Sequence, residues 1–498
     1  MTLAILALLL SACTHPAPPA KVAIVGIDGA SWSNLDPLIE RGLLPNFARL
    51  RDEGATANLI VDSAQSPESW TSLATGVHPE RHGIHQTPGV EGSTFFAGPD
   101  QLKVKRVWDI AGEAGKRSLV ANYWITPRAY PVRGVMICRE SAELYPADFG
   151  KGSYADLEPD QYRDQLHRLG LTAAKSGLIA TALEREDFDL YLLPIYSFDQ
   201  ALHMLWDEWE AGELLARQGK GLEGLSEAEL SAIDVGHGIV VETAKLADRL
   251  LGQAYKEIGP DGYVMVVSDH GHTAADPSMR RIALSRSILD GSRGTAENGS
   301  FHVGSATVKI DHVDQRIMRA VPQFGYLLRY PVLRVTNDPD GSVRAGLLAQ
   351  TLSTGEPLLA VQGETLVPSK AVFSLAHTAL GRLDEPQFSI FVNSGSHSTK
   401  ELGIFGLIGP DVAPGRMSAE VRSVDAAPTA LWLMGVAYGE DMDGRPATAA
   451  LTEAGQKTRK PQSVTTWEDG TRPWADPRTQ QLSAEEIERL KALGYLSQ

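Results

Sequence analysis

Positive charge is what this 498-residue chain lacks most: 46 Lys and Arg against 62 Asp and Glu leave a net charge of -16. A nucleic-acid binder would normally carry a basic patch able to displace counterions from phosphates, so that class is disfavoured. A phosphorylated ligand would need local positive charge, most simply from metal ions. Long apolar runs are missing too, which excludes a bundle of membrane-spanning helices. No convincing internal repeat is present. Cysteine is scarce, with 2 in the chain, Cys13 and Cys138. What is present is a hydrophobic content of 43%, enough for the sizeable core of one large or two medium globular domains.

The N-terminus reads MTLAILALLLSACTHPAPPA. Its apolar run is too short to span a bilayer and ends in Leu10-Ser11-Ala12-Cys13, which resembles the lipobox of bacterial lipoproteins. No Lys or Arg precedes the run, a departure from the usual leader. The resemblance implies that residues 1–20 are signal peptide and tether, with Cys13 carrying the lipid. The protein is then expected in the bacterial cell envelope, anchored to the membrane and facing the periplasm or exterior. Only Cys138 would stay free, which excludes a disulfide within the mature chain.

KVAIVGIDG (21–29) is a continuous apolar run ending at Asp28-Gly29, the pattern of a strand buried on both faces. Similar runs recur at 117–124, 188–195, 262–269 and 402–409. Helical patterns separate them, including 239–259 and LPNFARLRDEG (44–54), with Pro45 at its start and Gly54 beyond its end. The alternation predicts an α/β fold: a mainly parallel central sheet with helices on both faces. Ligands of such folds bind beyond the carboxyl ends of the strands, where Asp28 and Asp269 fall. Residues 275–390 read differently, β-rich with a hairpin turn at NDPDGS (337–342), and are expected to be an inserted cap region. The catalytic core is then 21–274 with 391–450, and 451–498 is a C-terminal extension ending in an amphipathic helix at 482–496.

Four stretches carry chemistry. In SPESWTSLATG, Pro67 suits a first helical position and places Ser66 at the N-cap, where the positive helix end favours an anion. The backbone N–H groups of Glu68 and Ser69 would lie nearby. Alone, a Ser-Pro pair is ordinary capping. In YSFDQALHMLW, Asp199 and His203 are spaced i, i+4, so one helix face could grip a cation or merely make a surface hydrogen bond. VVSDHGH puts Asp269 and His270 at the end of a core strand, with a turn-forming role as the alternative. His397 sits in a small polar loop before the next strand.

The order Asp28, Ser66, Asp199-x-x-x-His203, Asp269-His270-Gly271, His397 resembles the alkaline phosphatase superfamily. VGIDGASW, LPNFARLRDEGA, SPESWTSLATGVHPERHGI and VVSDHG look most like its type I phosphodiesterase/nucleotide pyrophosphatase branch. The resemblance implies two divalent metal ions, Zn²⁺ by the mixed donors with Mn²⁺ as the alternative. Asp28, Asp269, His270 and Ser66 would hold one; Asp199, His203 and His397 the other. Three carboxylates and an alkoxide would balance the charge of the pair. Ser66 would be the nucleophile of a phosphodiesterase acting on a small phosphorylated substrate through a phosphoseryl intermediate. The alternatives are a phosphomonoesterase, a phosphoryl or headgroup transferase, or a degenerate lipoprotein that only binds a phosphorylated ligand.

Some residues fall outside this scheme. His78, His82 and His85 are read as loop and packing residues, since PERHGI recurs in the family as a structural turn. His272 is either a hydrogen-bonding neighbour of the site or a solvated loop histidine, and Trp70 packs under the nucleophile's helix. Nucleotide pyrophosphatases carry asparagine in a Thr-Phe-Pro-Asn context three residues past the nucleophile, and Ser69 stands there in this chain, which weakens the expectation of a nucleotide substrate. Neither cysteine lies in the Cys-x-Pro-x-Arg motif that sulfatases require.

Overall fold

The structure is a computed structural model describing residues 17–85, 101–126, 129–138, 186–218, 227–274 and 395–475, residues 179, 182 and 183, and the short strands 144–145, 281–284, 300–303, 306–310, 331–337, 343–349 and 390–393. Cys13 with its leader, the turn residues 338–342 and the helix expected at 482–496 lie outside the described residues. No helix among the described residues is long and apolar enough to cross a membrane.

The strands are β1 (Val22–Ile27), β2 (Ala55–Ile60), β3 (Ser118–Ala121), β4 (Gly134–Ile137), β5 (Leu144–Tyr145), β6 (Leu190–Ile195), β7 (Tyr263–Val267), β8 (Gly271–Ala274), β9 (Arg281–Leu284), β10 (Ser300–Val303), β11 (Ala306–Ile310), β12 (Pro331–Asn337), β13 (Val343–Ala349), β14 (Ile390–Asn393), β15 (Gly395–Ser398), β16 (Gly403–Ile408), β17 (Gly415–Arg416) and β18 (Val421–Arg422). The large sheet runs β17-β2-β16-β7-β1-β6-β3-β4-β5, with β18 also on β2. From β7 to β4 every pairing is parallel. β16 joins antiparallel to both β7 and β2, so the sheet is mixed towards that edge. All five expected strands form. Sequence reading missed β2 and β4, whose short runs ATANLI and GVMI carry weak alternation.

β1 shows why the sheet is covered on both sides. Val22 and Ile24 join one hydrophobic core, whereas Ala23, Val25 and Ile27 join the other. Successive side chains of a strand point to opposite faces, so a strand that is apolar throughout needs a layer against each. The helices supply both: α1 (Trp32–Glu40), α2 (Pro45–Glu53), α3 (Ser66–Thr75), α4 (Pro79–His82), α5 (Val107–Glu113), α6 (Ser197–Gln218), α7 (Glu227–Ile258), α8 (Ala426–Leu433) and α9 (Glu453–Thr458). α3, α5 and α8 bury their apolar residues in the first core, and α1, α2, α6 and α7 in the second. α2 starts with Pro45 and stops at Gly54, as its sequence predicts.

Between residues 275 and 390 the described backbone is all strand. β12 and β13 pair antiparallel with Asn337 opposite Val343, flanking the expected turn, and β10-β11-β13-β12 form a four-stranded sheet. Two short antiparallel ribbons, β8 with β15 and β9 with β14, bring the ends of the insertion together. Part of the C-terminal extension packs on the core: Trp474 is buried and its indole N–H donates to the Leu102 carbonyl at 3.3 Å.

His82 is a packing residue, as expected of the PERHGI turn. Its ring is fully buried, Nδ1 accepts the Ile84 N–H at 3.1 Å, and Nε2 lies 3.1 Å from Ser72 Oγ. An accepting Nδ1 leaves the proton on Nε2, so a second proton would face the Ile84 N–H. Burial, reinforced by His85, lowers the His82 pKa from 6.5 to about 3. A folded-state value below the unfolded one stabilises the fold fully above the unfolded pKa and loses that contribution as pH falls. Between about pH 6 and pH 4 His82 should therefore contribute a loss of about 1.4 kcal/mol per pH unit. Urea titrations of wild type and His82→Gln across that range check this: the variant's curve should be flatter, and parallel curves would refute it.

Candidate active site

Three neighbouring strands deliver the carboxylates. Asp28 directly follows β1 at the centre of the sheet, Asp269 and His270 lie beyond β7 on one side, and Asp199 lies in the first turn of α6, which follows β6 on the other. The turn after β1 needs glycine twice over. Gly29 has φ +69°, and a Cβ there would come within 2.6 Å of Asp199 Oδ1. Ser268 fastens the turn after β7: its hydroxyl donates to the Ala30 carbonyl at 2.8 Å and accepts the Ile404 N–H at 2.8 Å. α6 carries Asp199 and His203 one turn apart and kinks at Leu205, whose φ and ψ are -128° and 26°. His397 arrives on β15, directly opposite His272 of β8.

Around Asp28 the donor atoms converge without protein partners of their own. His270 Nδ1 donates to the Gly271 carbonyl at 3.1 Å, which leaves Nε2 as a bare lone pair. That Nε2 lies 3.1 Å from Ser66 Oγ, 3.1 Å from Asp269 Oδ2 and 3.5 Å from Asp28 Oδ1. Asp28 Oδ1 and Asp269 Oδ2 are buried and accept no hydrogen bond among the described residues. Their opposite oxygens are held, Asp28 Oδ2 by the Trp70 indole N–H at 3.2 Å and Asp269 Oδ1 by the Gly29 N–H at 3.2 Å. The ligand atoms of Asp28, Asp269 and His270 all lie within 4.8 Å of one another.

The second group is built alike. His203 Nδ1 donates to the Gly395 carbonyl at 3.2 Å, and its Nε2 is 2.6 Å from His397 Nε2 and 3.4 Å from Asp199 Oδ2. His397 Nε2 is 3.5 Å from Asp199 Oδ1.

The electrostatics fit the same reading. Burial, with Asp269 and Asp199 adding to it, pushes the Asp28 carboxyl well above the usual range. For Asp199, burial opposes ionisation but His203 and His397 outweigh it and hold the carboxyl well below that range. Burial likewise opposes the charged forms of Asp269 and His270, yet their mutual attraction lowers the carboxyl and raises the imidazole. Burial, then neighbouring imidazoles, bring His397 down to about 4 and His272 to about 3. His397 and His272 are thus neutral, whereas Asp28 and His270 hold their protons more tightly than usual, protons that a bound cation would displace; mixed O and N donors suit Zn²⁺ or Mn²⁺. The residues present therefore fit divalent-cation binding.

The structure brings together all seven residues that the sequence pattern singles out. It also corrects three details. Gln65, not Ser66, is the N-cap of α3; Ser66 is the first helical residue and Pro67 the second, because Ser69 N–H already closes on the Gln65 carbonyl at 3.0 Å. The Ser69 N–H is thus spent, and Ser69 Oγ donates to the Ser63 carbonyl at 2.5 Å. The third is His397, which lies on strand β15 and not in a loop; of the two readings of His272 the structure selects the hydrogen-bonding neighbour, fully buried with Nδ1 3.0 Å from Asp199 Oδ1. Its signal was available in the spacing, since residues two apart in an extended segment share a face with His270. Trp70 packs as expected, its ring edge so close that a Cβ on Gly26 would lie 2.3 Å from it, but its hold on Asp28 was missed. The Ser268 clasp had no sequence signal.

The family model for type I phosphodiesterase / nucleotide pyrophosphatase matches residues 22–326. Among solved structures, murine ectonucleotide pyrophosphatase / phosphodiesterase 5 aligns at 14% identity and TM-score 0.40, covering 84% of this chain and 95% of its own. A variant of the alkaline phosphatase PafA aligns at 13% identity and TM-score 0.43, covering 87% and 99%. Phosphonoacetate hydrolase from Sinorhizobium meliloti aligns at 16% identity and TM-score 0.39, covering 84% and 97%. No curated protein matches the chain.

Proposed function

From the premise that this chain belongs to the type I phosphodiesterase / nucleotide pyrophosphatase family, and so hydrolyses phosphoric esters, we propose that it is a metal-dependent phosphodiesterase with Ser66 as nucleophile. One observation carries the reading: Ser66 Oγ stands 3.1 Å from His270 Nε2, the nitrogen that itself lies 3.1 Å from Asp269 Oδ2 and 3.5 Å from Asp28 Oδ1. Asp28, Asp269, His270 and Ser66 would hold one divalent cation and Asp199, His203 and His397 the other, and the pair would supply the positive charge that lowers the hydroxyl pKa and screens the phosphoryl oxygens.

Ser66 Oγ attacks phosphorus in line. The Oγ–P bond forms as the bond to the leaving alcohol breaks, and that alcohol takes up a proton. Water then attacks the phosphoserine, releases a phosphomonoester and restores the hydroxyl. Because α3 begins at Ser66, the positive end of the helix faces the anion throughout. Asp28 is kept in place by Trp70 and Asp269 by the Gly29 amide, so neither carboxylate needs to reorient during turnover.

The test compares kcat/KM for bis(p-nitrophenyl) phosphate and p-nitrophenyl phosphate. The diester should be preferred by about tenfold or more, corresponding to about 1.4 kcal/mol of transition-state binding. Preference for the monoester would replace the phosphodiesterase reading with the phosphomonoesterase one.

A further inference from the structure

His272 lies outside the seven-residue scheme, yet it is as buried as any member of the site. We propose that it is a positioning residue for the Asp199 cation site: its Nδ1–H donates to Asp199 Oδ1 and fixes the rotation of that carboxylate, while Oδ2 stays 3.4 Å from His203 Nε2. The inference rests on the two-cation reading above and adds a residue to it.

The rival role is direct ligation, since the ligand atoms of His272, Asp199 and His203 also lie within 4.8 Å of one another. The surroundings of the two ring nitrogens decide against it. Nε2 is buried and meets no hydrogen-bond partner among the described residues. It faces the backbone of Gly395, where a Cβ would come within 2.5 Å of it. A proton on Nε2 would be a buried donor with nothing to receive it, and such groups are costly. A proton on Nδ1 meets a carboxylate at 3.0 Å. The tautomer is therefore Nδ1–H, which removes Nδ1 as a ligand, and the Nε2 lone pair that is left faces the Gly395 backbone instead of the Asp199 carboxylate.

The ring has no freedom to leave this arrangement. Trp206 stacks on it at 5.7 Å and 25°, and His203 meets it edge-on at 4.5 Å. Its own carbonyl accepts Asn34 Nδ2 at 3.3 Å. Gly395 serves both histidines: the carbonyl receives His203 Nδ1–H, and the missing side chain leaves room for His272. Partners that orient metal ligands typically matter by 10–100-fold in metal affinity.

Two variants of the full-length protein separate the roles. His272→Phe keeps a ring and removes the N–H; His272→Asn shortens the side chain and keeps an amide N–H near the Nδ1 position. Zn²⁺ stoichiometry and affinity are read by elemental analysis and chelator competition, with circular dichroism of the chelated proteins as the folding check. His272→Phe should weaken one of two sites by about 10–100-fold and leave the other unchanged, and His272→Asn should recover most of that loss. Unchanged affinity in His272→Phe overturns the proposal, and so does an asparagine variant as weak as the phenylalanine one. Wild type that saturates below two ions would sink the two-cation reading itself; two ions in wild type with an indifferent His272→Phe would sink only this inference.

Discussion

Ser66→Ala should lower kcat/KM for the diester by about 10⁴-fold or more, the scale on which loss of a nucleophile acts. The hydroxyl lies 3.1 Å from His270 Nε2, and Ser69 one turn on is tied to the Ser63 carbonyl and cannot stand in for it. Removing one buried oxygen should leave the fold intact and keep both cations, since Asp28, Asp269 and His270 remain. Metal content and a melting curve of the variant establish that control. A fall of less than tenfold in a folded, metal-loaded variant would eliminate Ser66 as nucleophile.

Chelation should have the second largest effect, abolishing turnover and lowering the melting temperature together. Asp28, Asp199 and Asp269 are all buried, and Asp269 and Asp199 add to burial in pushing the Asp28 carboxyl up, an opposition that a bound cation would relieve. A ligand at a thousandfold excess over its Kd stabilises the folded state by about 4 kcal/mol, which amounts to a few degrees in a protein of this size. Zn²⁺ or Mn²⁺ added back should restore both properties. Differential scanning calorimetry with and without chelator, alongside diester hydrolysis, gives the answer; a chelated protein that keeps its activity and its melting temperature would refute the metal-dependent reading.

The half of the site on the sheet was legible because the physics is local. Apolar runs that end in Asp28 and in Asp269-His270 put charged groups where a buried strand must stop, and the i, i+4 pair Asp199 and His203 shares one helix face. His397 is different. Its small polar stretch carries no geometric signal and reads as a loop, and its place is set by the pairing of β15 with β8, more than 100 residues distant along the chain, which only the order of motifs anticipated. Helix ends are uncertain by a residue from sequence, and α3 shows it: the hydroxyl of Ser66 was foreseen, its turn of helix was not. The parallel centre of the sheet followed from strand–helix alternation, but β2, with the polar Thr56 and Asn58 among its six residues, lacked the apolar run that marked its neighbours.

The ribbons at the root of the insertion have a consequence for how this protein can change over generations. Lengthening the intervening polypeptide adds only about 0.6 kcal/mol of closure entropy per doubling, so whole modules can be spliced in or exchanged beyond β9 and β14 without disturbing what lies below. At the Asn393–Gly395 junction the tolerance ends. A frame slip of one residue there would turn His397 to the far side of its ribbon and cut it off from His203. The contact between His397 and His203 is thus tied to a single register of that ribbon.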